Sequence, residues 1–389
     1  MPRRTFSRRP HTRRFPARKA KGAASMDPMM FVRKASGVKE EEAFVPSFEY
    51  KDLPVHPGLR DNILKKGYKF PTPIQNASIL PITEGRDILG IANTGTGKTA
   101  AFLIPMIQRI LDEPRERVLI LVPTREIASQ IQDELTAFAM GLRIRSTVCV
   151  GGLFIGRQIM SLKQNPQFVI ATPGRLKDLQ DRRAIDLGSF TRVVLDEADR
   201  MVDMGFINEV RAFLAVIPDD VQLLFFSATL PKEVQHLIHS FLKDPVTVSV
   251  KLRDTSENVD QDIIRVAGGD KMKILEKLLR EEHLTKVLIF ARTKRGVDKL
   301  TRSLLDSGFK AVCIHGDKAQ YQRQKALDAF KANHVEILVA TDVAARGLDI
   351  PNVSHVINYE IPQTYEDYVH RIGRTGRANQ KGHALTFVD

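Results

Sequence analysis

The sequence predicts an α/β protein of two domains, each built around a doubly wound parallel β-sheet. Length is the first reason, because 389 residues exceed the size at which one hydrophobic core usually stops growing. The second is an alternation, from residue 48 onward, of short apolar runs with longer amphipathic stretches, which is typical of βαβ units. The third is that polar or glycine-containing segments follow the apolar runs, where open α/β sheets bind ligands.

Eight apolar runs are interpreted as buried strands, four on either side of a polar stretch at 244–262. They are VLILVP at 118–123, FVIATP at 168–173, RVVLDEAD at 192–199, LLFFSATL at 223–230, KVLIFA at 286–291, KAVCIHG at 310–316, EILVATD at 336–342 and HVINYE at 355–360. The polar stretch indicates an interdomain linker. The predicted division is a disordered basic N-terminal arm (1–37), a first domain (38–247), a linker (248–260) and a second domain (261–389).

The net charge of +13 indicates a polyanionic partner, but most of it lies in the arm. Nine Lys or Arg and no acid precede Asp27, which leaves about +4 for the rest of the chain. Pro10 and Pro16 interrupt any helix there, so we expect disorder. The arm is either a salt-sensitive RNA-binding extension or a solvated leader without a specific role. A mitochondrial transit peptide is disfavoured by the prolines, and the expected location is cytoplasmic.

Two cysteines, Cys149 and Cys313, lie in strand-like runs without a second ligand type at metal spacing, and both are expected to be buried core thiols. No run approaches the roughly 18 apolar residues of a transmembrane helix, so we expect a soluble protein without a membrane partner.

The segment ANTGTGKT at 92–99 follows an apolar stretch and precedes a helical one, which is the order that a phosphate loop requires. Gly95 and Gly97 let backbone N–H groups turn toward phosphate oxygens; Lys98 neutralises the β and γ phosphates and Thr99 ligates Mg²⁺. Ala92 replaces the first glycine of the general pattern, and a chance glycine-rich turn is the alternative. The expected nucleotide-binding residues of the loop are Thr94, Gly95, Thr96, Gly97, Lys98 and Thr99.

The segment LDEAD at 195–199 supplies the acidic half of this site. Asp196, at a strand end, is expected to hold the Mg²⁺ shell, and Glu197 to orient and deprotonate the attacking water. Alone, such a cluster is more often a helix cap or a solvated turn. Together with Lys98 and Thr99, it indicates ATP hydrolysis with Mg²⁺.

The segment HRIGRTGR at 370–377 supplies the cations that a spreading γ-phosphate charge needs. Arg371, Arg374 and Arg377 come from the far end of the chain, and we assign Arg374 and Arg377 as catalytic fingers across a domain cleft. A surface basic loop is the alternative.

Together and in this order, these segments resemble the DEAD-box ATP-dependent RNA helicases of superfamily 2, from about Phe48 onward. Further matching motifs are GYKFPTPIQ at 67–75, PTREIA at 123–128, Gly151 with Gly152, TPGR at 172–175, SAT at 227–229, VLIFARTK at 287–294, Gln320 with Arg323, and ATDVAARGLD at 340–349. The resemblance implies two RecA-like domains, ATP and Mg²⁺ as cofactors, and sequence-independent unwinding of short RNA duplexes or remodelling of RNA–protein complexes. DMGFINEV and the last motif look most like the bacterial RhlE-like branch.

The resemblance implies a purine pocket in which Gln75 reads adenine and Thr72 supports it. Tyr68 or Phe48 is expected near the base, and Asp349 to reach the nucleotide from the second domain. Asp199, Ser227, Thr229, Arg346 and His370 match positions that couple the nucleotide site to strand separation. The resemblance implies hydrogen bonds from Ser227 and Thr229 to Asp199, with His370 reaching from the second domain. The hydroxyls among them are also ordinary helix caps.

The resemblance also implies a track for RNA phosphates and 2′-hydroxyls, with few aromatic residues to stack on bases. Its members are Thr124, Arg125, Gly152, Thr172 and Arg175 in the first domain, and Arg292, Thr293, Arg323 and Thr341 in the second. Taken singly, most are strand-end caps or solvated charges.

Small departures from the family pattern occur at Asn93, Tyr68 and Ile127, and they preserve shape and hydrogen bonding. An ATP-gated RNA clamp and a DNA helicase on the same fold are the alternatives to a coupled RNA motor. We expect a monomer, with ribosome-assembly or RNA-decay proteins as candidate partners.

Overall fold

The computed structural model describes residues 27–35, 44–93, 95–250, 258–281, 284–345, 350, 352–376 and 381–388. Several predictions therefore lie outside the described residues: those for Thr94, Arg346, Asp349 and Arg377, for residues 1–26 of the arm, and for residues 251–257 of the linker. The described residues form two parallel β-sheets in succession, which confirms the predicted fold class.

The first sheet has seven strands in the order β3-β4-β2-β5-β6-β1-β7, and every pairing is parallel. Its strands are β1 Ile88–Ile91, β2 Val118–Leu121, β3 Ser146–Cys149, β4 Phe168–Ala171, β5 Arg192–Asp196, β6 Gln222–Ser227 and β7 Val246–Ser249. Its helices are α1 Pro57–Lys65, α2 Pro73–Thr83, α3 Lys98–Asp112, α4 Arg125–Phe138, α5 Ile155–Leu162, α6 Pro173–Asp181, α7 Ala198–Asp203, α8 Ile207–Leu214 and α9 Lys232–Phe241.

Helices cover both faces of this sheet, so its central strands are apolar at every position. In β2, Val118 and Ile120 belong to one core cluster, whereas Leu119 and Leu121 belong to the other. Successive side chains of a strand point to opposite faces, and this period of two divides the run VLIL between two cores.

The second sheet has six strands in the order β10-β11-β9-β12-β13-β8, again all parallel. Its strands are β8 Val259–Arg265, β9 Val287–Phe290, β10 Ala311–Ile314, β11 Ile337–Ala340, β12 His355–Asn358 and β13 Gly382–Val388. Its helices are α10 Lys271–Leu279, α11 Lys294–Asp306, α12 Gln320–Lys331, α13 Asp342–Ala345 and α14 Tyr365–Ile372. All eight predicted strands are present.

The structure differs from the predicted boundaries at both ends of the linker and in the arm. Strand β7 runs to Ser249 and β8 begins at Val259, so two residues at each end of the predicted linker are strand. Residues 27–35, expected to be disordered, include a 3-10 helix at Pro28–Phe31 and pack on the second domain. The sequence did not indicate this docking, because Phe31 is a single aromatic residue that follows a long basic stretch.

The two cysteines differ in environment. Cys149 is fully buried in the first domain, as expected, and burial raises its pKa to about 12. Cys313 is only half-buried, on the edge strand β10, where its Sγ lies 3.7 Å from Asp298 Oδ1. No helix among the described residues is both long and apolar enough to cross a membrane.

Iodoacetamide at neutral pH is expected to alkylate Cys313 at least about tenfold faster than Cys149. The thiolate is the reactive form, and the burial of Cys149 both raises its pKa and shields its sulfur. Mass spectrometry of the digested native protein measures the two rates, and the urea-unfolded protein is the control in which they converge. Equal labelling in the native state contradicts the buried position of Cys149.

Candidate nucleotide and RNA site

The predicted phosphate loop leaves the carboxyl end of β1 and enters α3. Gly97 precedes the helix with φ 95°, and a Cβ at this position would collide with the side-chain amide of Gln75. Only glycine tolerates both constraints. The Lys98 ammonium is buried and donates to the carbonyl of Ala92 at 2.8 Å, curling back over the loop. An ammonium and a helix N-terminus thus meet in one backbone cradle, which suits a polyphosphate.

Gln75 joins the expected purine pocket to the phosphate loop. Its Oε1 accepts from the Tyr50 hydroxyl at 2.9 Å and from the Thr72 backbone N–H at 2.8 Å, while its Nε2 donates to the Gly97 carbonyl at 3.1 Å. The Tyr50 contact was missed by sequence reasoning, although Tyr50 lies two residues after Phe48. Burial, with a smaller effect of Tyr68, raises the pKa of Tyr50, so the phenol stays a hydrogen-bond donor.

The two aromatic residues assigned to this pocket, Phe48 and Tyr68, form an edge-to-face series with Tyr50. Ring centroids are 5.8 Å apart for Phe48 and Tyr50, 5.8 Å for Tyr50 and Tyr68, and 5.7 Å for Tyr68 and Phe138. Of these rings, Tyr68 lines the adjoining cavity of about 360 Å³. This cavity is also lined by Gly95, Gly97, Lys98, Thr99, Asp196 and Glu197, so the acidic pair and four of the predicted loop residues converge on one space.

Asp196 and Glu197 lie at the carboxyl end of β5, both buried. Burial raises the pKa of Asp196; the negative charge of Glu197 adds to this effect, and Lys98 opposes it. Burial also acts to raise the pKa of Glu197, but Arg200, Lys98 and Arg374 outweigh it and hold that pKa below its usual range. Lys98, Arg200 and Arg374 therefore supply the positive charge around these two acids in this structure.

Glu197 has a left-handed backbone, with φ 55° and ψ 52°, which is rare outside glycine. Its carboxylate forms a buried ion pair with Arg200, a residue that sequence reasoning did not single out. The sequence signal for this ion pair was the spacing of three residues between Glu197 and Arg200 at the start of α7.

The three arginines of HRIGRTGR have different surroundings. Arg371 is a buried structural residue that pairs with Asp342 at 2.5 and 2.8 Å and donates to Asn358 Oδ1 at 3.1 Å. Arg374 is buried just beyond α14, and its charge reaches Glu197 of the first domain. The structure thus brings Arg374, but not Arg371, toward the acidic site.

The hydrogen bonds expected around Asp199 are present. Its Oδ2 accepts from the Thr229 hydroxyl at 3.0 Å and from the Thr229 N–H at 2.8 Å, and its own N–H donates to Ser227 Oγ at 3.1 Å. These bonds tie β6 to the start of α7, next to Glu197. His370 lies on α14, half-buried, and the Arg374 Nε donates to its carbonyl at 3.3 Å. The coupling role of this group stays a prediction.

Strand order divides the carboxyl edge of the first sheet into two halves. The loop residues and acids follow β1, β5 and β6, which are neighbours, whereas Thr124, Gly152 and Thr172 follow β2, β3 and β4, which are also neighbours. The sequence alone does not give this adjacency. The assigned RNA residues of this domain therefore form one continuous edge beside the nucleotide half.

This edge carries a concentrated positive charge. Burial, followed by the charges of Arg323 and Arg175, lowers the pKa of Arg125. The Arg125 guanidinium lies against Gly152, where any Cβ would collide with it. Clustered guanidinium groups over exposed backbone favour a phosphate chain.

The second domain repeats the strand-end arrangement. Thr124 and Thr293 follow β2 and β9, and each hydroxyl accepts from a backbone N–H of the next helix, at 3.4 and 3.0 Å. Both threonine hydroxyls are therefore helix caps in this structure, and their assignment to the RNA track stays a prediction. Arg292 and Thr341 follow the adjacent strands β9 and β11.

Arg323, which was assigned to the RNA track, forms an ion pair with the first domain. Its Nη2 lies 2.8 Å from Glu126 Oε2 of the first domain, and both side chains are buried. Gln320 Nε2 donates to Glu126 Oε1 at 3.2 Å. Glu126 was not predicted to be a site residue, although a carboxylate inside the motif PTREIA, beside phosphate-binding residues, requires a cationic partner.

The variants Glu126→Gln and Arg323→Gln are each expected to lower RNA-stimulated kcat/KM by at least about tenfold, because either change leaves a buried polar group without its charge partner. The double variant is expected to be no worse than the poorer single variant. Steady-state ATP turnover measures all four proteins. An additive loss in the double variant indicates instead that Arg323 binds RNA independently of Glu126.

Two family models match the chain: the DEAD/DEAH box helicase model at residues 72–237 and the helicase conserved C-terminal domain model at residues 270–379. The chain is 46% identical over 337 residues to the ATP-dependent RNA helicase CshA of Limosilactobacillus reuteri, covering 85% of this chain and 68% of that protein. It is 43% identical over 341 residues to the DEAD-box ATP-dependent RNA helicase CshA of Bacillus licheniformis, covering 87% and 70%.

Solved structures agree with this similarity. S. cerevisiae Dbp5 bound to RNA and ADP BeF3 is 29% identical, with a TM-score of 0.76 and coverage of 87% of this chain and 89% of that chain. Mss116p with a double deletion of its NTE and C-tail, bound to ssRNA and AMP-PNP, is 29% identical, with a TM-score of 0.79 and coverage of 92% and 77%.

The phosphate loop, the acidic strand end and the arginine from a second α/β domain define an ATP-hydrolysing enzyme with two RecA-like domains. With the matches above, the chain belongs to the DEAD-box ATP-dependent RNA helicase family. It spans 65% to 70% of the length of three CshA relatives. Their name differs from the RhlE-like branch that the sequence motifs favoured.

Proposed function

We propose that this protein hydrolyses ATP only when RNA lies along the carboxyl edges of both sheets, and uses the cycle to separate short duplexes or remodel RNA–protein complexes. The observation that carries the proposal is the two-part edge of the first sheet. Its nucleotide half and its basic half are contiguous, and each faces residues of the second domain, Arg374 on one side and Arg323 on the other. One movement of the second domain therefore affects both ligands.

ATP and Mg²⁺ fit the donors of the nucleotide half. Thr99 lines the same cavity as Asp196, and a hydroxyl with a carboxylate is a ligand pair that Mg²⁺ accepts. When bound, the metal neutralises charge on the β and γ phosphates. Lys98 leaves the Ala92 carbonyl to bind phosphate oxygens, and Gln75 offers its second amide hydrogen to the purine.

Glu197 holds the attacking water and accepts its proton, while Arg374 stabilises the charge that spreads over the γ-phosphate oxygens. In this structure Arg200 occupies the Glu197 carboxylate. That ion pair uses only one carboxylate oxygen, Oε2, and Glu197 also lines the cavity.

RNA contacts follow from the basic half of the edge. Threonine hydroxyls, glycine N–H groups and guanidinium groups contact phosphates and 2′-hydroxyls without reading bases. The proposed substrate is accordingly single-stranded RNA or a short duplex of any sequence. A monomeric, cytoplasmic protein of the RhlE-like or CshA-like group, with ribosome-assembly or RNA-decay partners, is consistent with this activity.

Steady-state ATP hydrolysis by the purified protein tests the proposal, without nucleic acid, with single-stranded RNA, and with DNA of the same sequence. Stimulation by RNA alone is expected. Equal stimulation by DNA would show a general nucleic-acid helicase, and long-lived RNA binding without turnover would show the clamp. Both outcomes contradict the proposal.

A further inference from the structure

A short segment before the first domain is docked on the second domain. Phe31 is fully buried in a small apolar cluster with Val259, Tyr368, Ile372 and Ala384. Its ring centroid lies 4.6 Å from that of Tyr368. The cluster is separate from the two main cores of that domain, so Phe31 is a large part of its apolar volume.

Backbone hydrogen bonds hold the same segment in register. Arg33 N–H donates to the Gln261 carbonyl at 3.0 Å, and Gln261 N–H donates to the Arg33 carbonyl at 2.7 Å. Ala35 N–H donates to Asp260 Oδ1 at 2.9 Å. Strand β8 ends the sheet, so this antiparallel bridge covers part of an otherwise open edge.

Two residues of this cluster belong to the helix that leads to the arginine finger. Tyr368 and Ile372 are four residues apart on α14 and share one face. Arg371 is anchored separately, by Asp342. Helix α14 is therefore held at two places, one ionic and one apolar.

The loop after α14 packs on the same apolar cluster. Arg374 N–H donates to the Arg371 carbonyl at 3.1 Å, so the finger continues the last turn of the helix. Gly376 follows with φ 66°, and a Cβ there would come within 2.8 Å of Val259, a neighbour of Phe31. A shift of this apolar cluster is therefore passed to Arg374 both through the last turn of α14 and through Gly376.

We propose that Phe31 is a positioning residue for ATP hydrolysis: by filling the apolar cluster beneath α14, it sets the place of Arg374 relative to Glu197. Catalytic groups act only in near-ideal geometry, and a displacement of about 1 Å can cost roughly 100-fold in rate. Arg371 still anchors the helix when Phe31 is absent, so the effect of its removal is partial.

Phe31→Ala is expected to lower RNA-stimulated kcat about tenfold. The KM for ATP and the affinity for RNA without nucleotide stay unchanged, because neither the phosphate loop nor the basic edge contacts the segment. Phe31→Leu is expected to restore most of the rate. Met29→Ala is the matched control, since Met29 lies in the same 3-10 turn but is 63% exposed.

Hydrogen exchange of the native full-length protein gives a second readout. Amides of Gly373, Arg374 and Thr375, which donate to the last turn of α14, are expected to exchange faster in Phe31→Ala. Unchanged kcat in a folded Phe31→Ala variant overturns the proposal, as does a rate loss matched by an equal loss of RNA or ATP affinity.

Should Phe31→Ala fail to fold, Arg33→Pro removes one backbone donor of the bridge and leaves the aromatic side chain in place. A folded Arg33→Pro variant with normal kcat also overturns the proposal; a selective fall in kcat supports it.

The inference rests on RNA-dependent hydrolysis by the unaltered protein. An inactive wild type contradicts that proposed function, whereas active wild type and active Phe31→Ala contradict only the role of Phe31.

Discussion

Glu197→Gln is expected to stop ATP turnover while ATP and RNA remain bound. The amide keeps the size and the hydrogen-bonding shape of the carboxylate but cannot accept the proton of the attacking water, a loss of about 100-fold to 10,000-fold in rate. Neither the phosphate loop nor the Gln75 contacts change, so the affinity for ATP should hold or rise as the like charge beside Asp196 disappears.

Lys98→Ala is the contrasting variant, because it removes the buried ammonium from the phosphate cradle and should weaken ATP binding itself. Fluorescent-nucleotide titration and phosphate release measure binding and turnover separately. Glu233→Gln changes an exposed carboxylate on α9 and is the matched control. An equal loss of ATP affinity in the Glu197 and Lys98 variants would remove the proton-acceptor role given to Glu197.

Arg374→Ala is expected to abolish RNA-stimulated hydrolysis, by about 1,000-fold or more, and to spare RNA binding in the absence of nucleotide. Its charge reaches Glu197 from the second domain, so the variant removes the cation that this helix end contributes to the acidic site. Arg374→Lys keeps the charge but loses the planar fork, so it should recover only a small part of the rate.

The neighbouring arginine provides the contrast in stability. Arg371→Ala leaves Asp342 without its bidentate partner and should destabilise the second domain by about 3 kcal/mol or more. Arg374→Ala should leave the melting temperature nearly unchanged, and the exposed Arg302→Ala on α11 controls for lost surface charge. Normal turnover in Arg374→Ala would refute the finger assignment.

Local patterns were enough to predict the eight strands, the phosphate loop and the acidic strand end. A buried parallel strand needs an apolar side chain at every position, and the phosphate loop needs glycine at Gly97, where no Cβ fits. These requirements act within a few residues, so they leave a readable trace in the chain. The hydrogen bonds of Asp199 with Ser227 and Thr229 were implied by the resemblance to the family.

Contacts between distant segments were not readable in the same way. Glu126 and Arg323 are 197 residues apart, and each alone resembles an ordinary surface charge until the two domains bury them together. Arg200 and Tyr50 escaped notice because their partners, Glu197 and Gln75, had already been assigned to ligands.

The sequence by itself determined the fold class, the nucleotide chemistry and the family, because those depend on residue type at short spacing. Only the tertiary structure decided the strand order that divides the edge into nucleotide and RNA halves, the pairing of Glu126 with Arg323, and the docking of Phe31. The physical reason is that pairing and burial are set by the free energy of the whole packed chain, which no short segment contains.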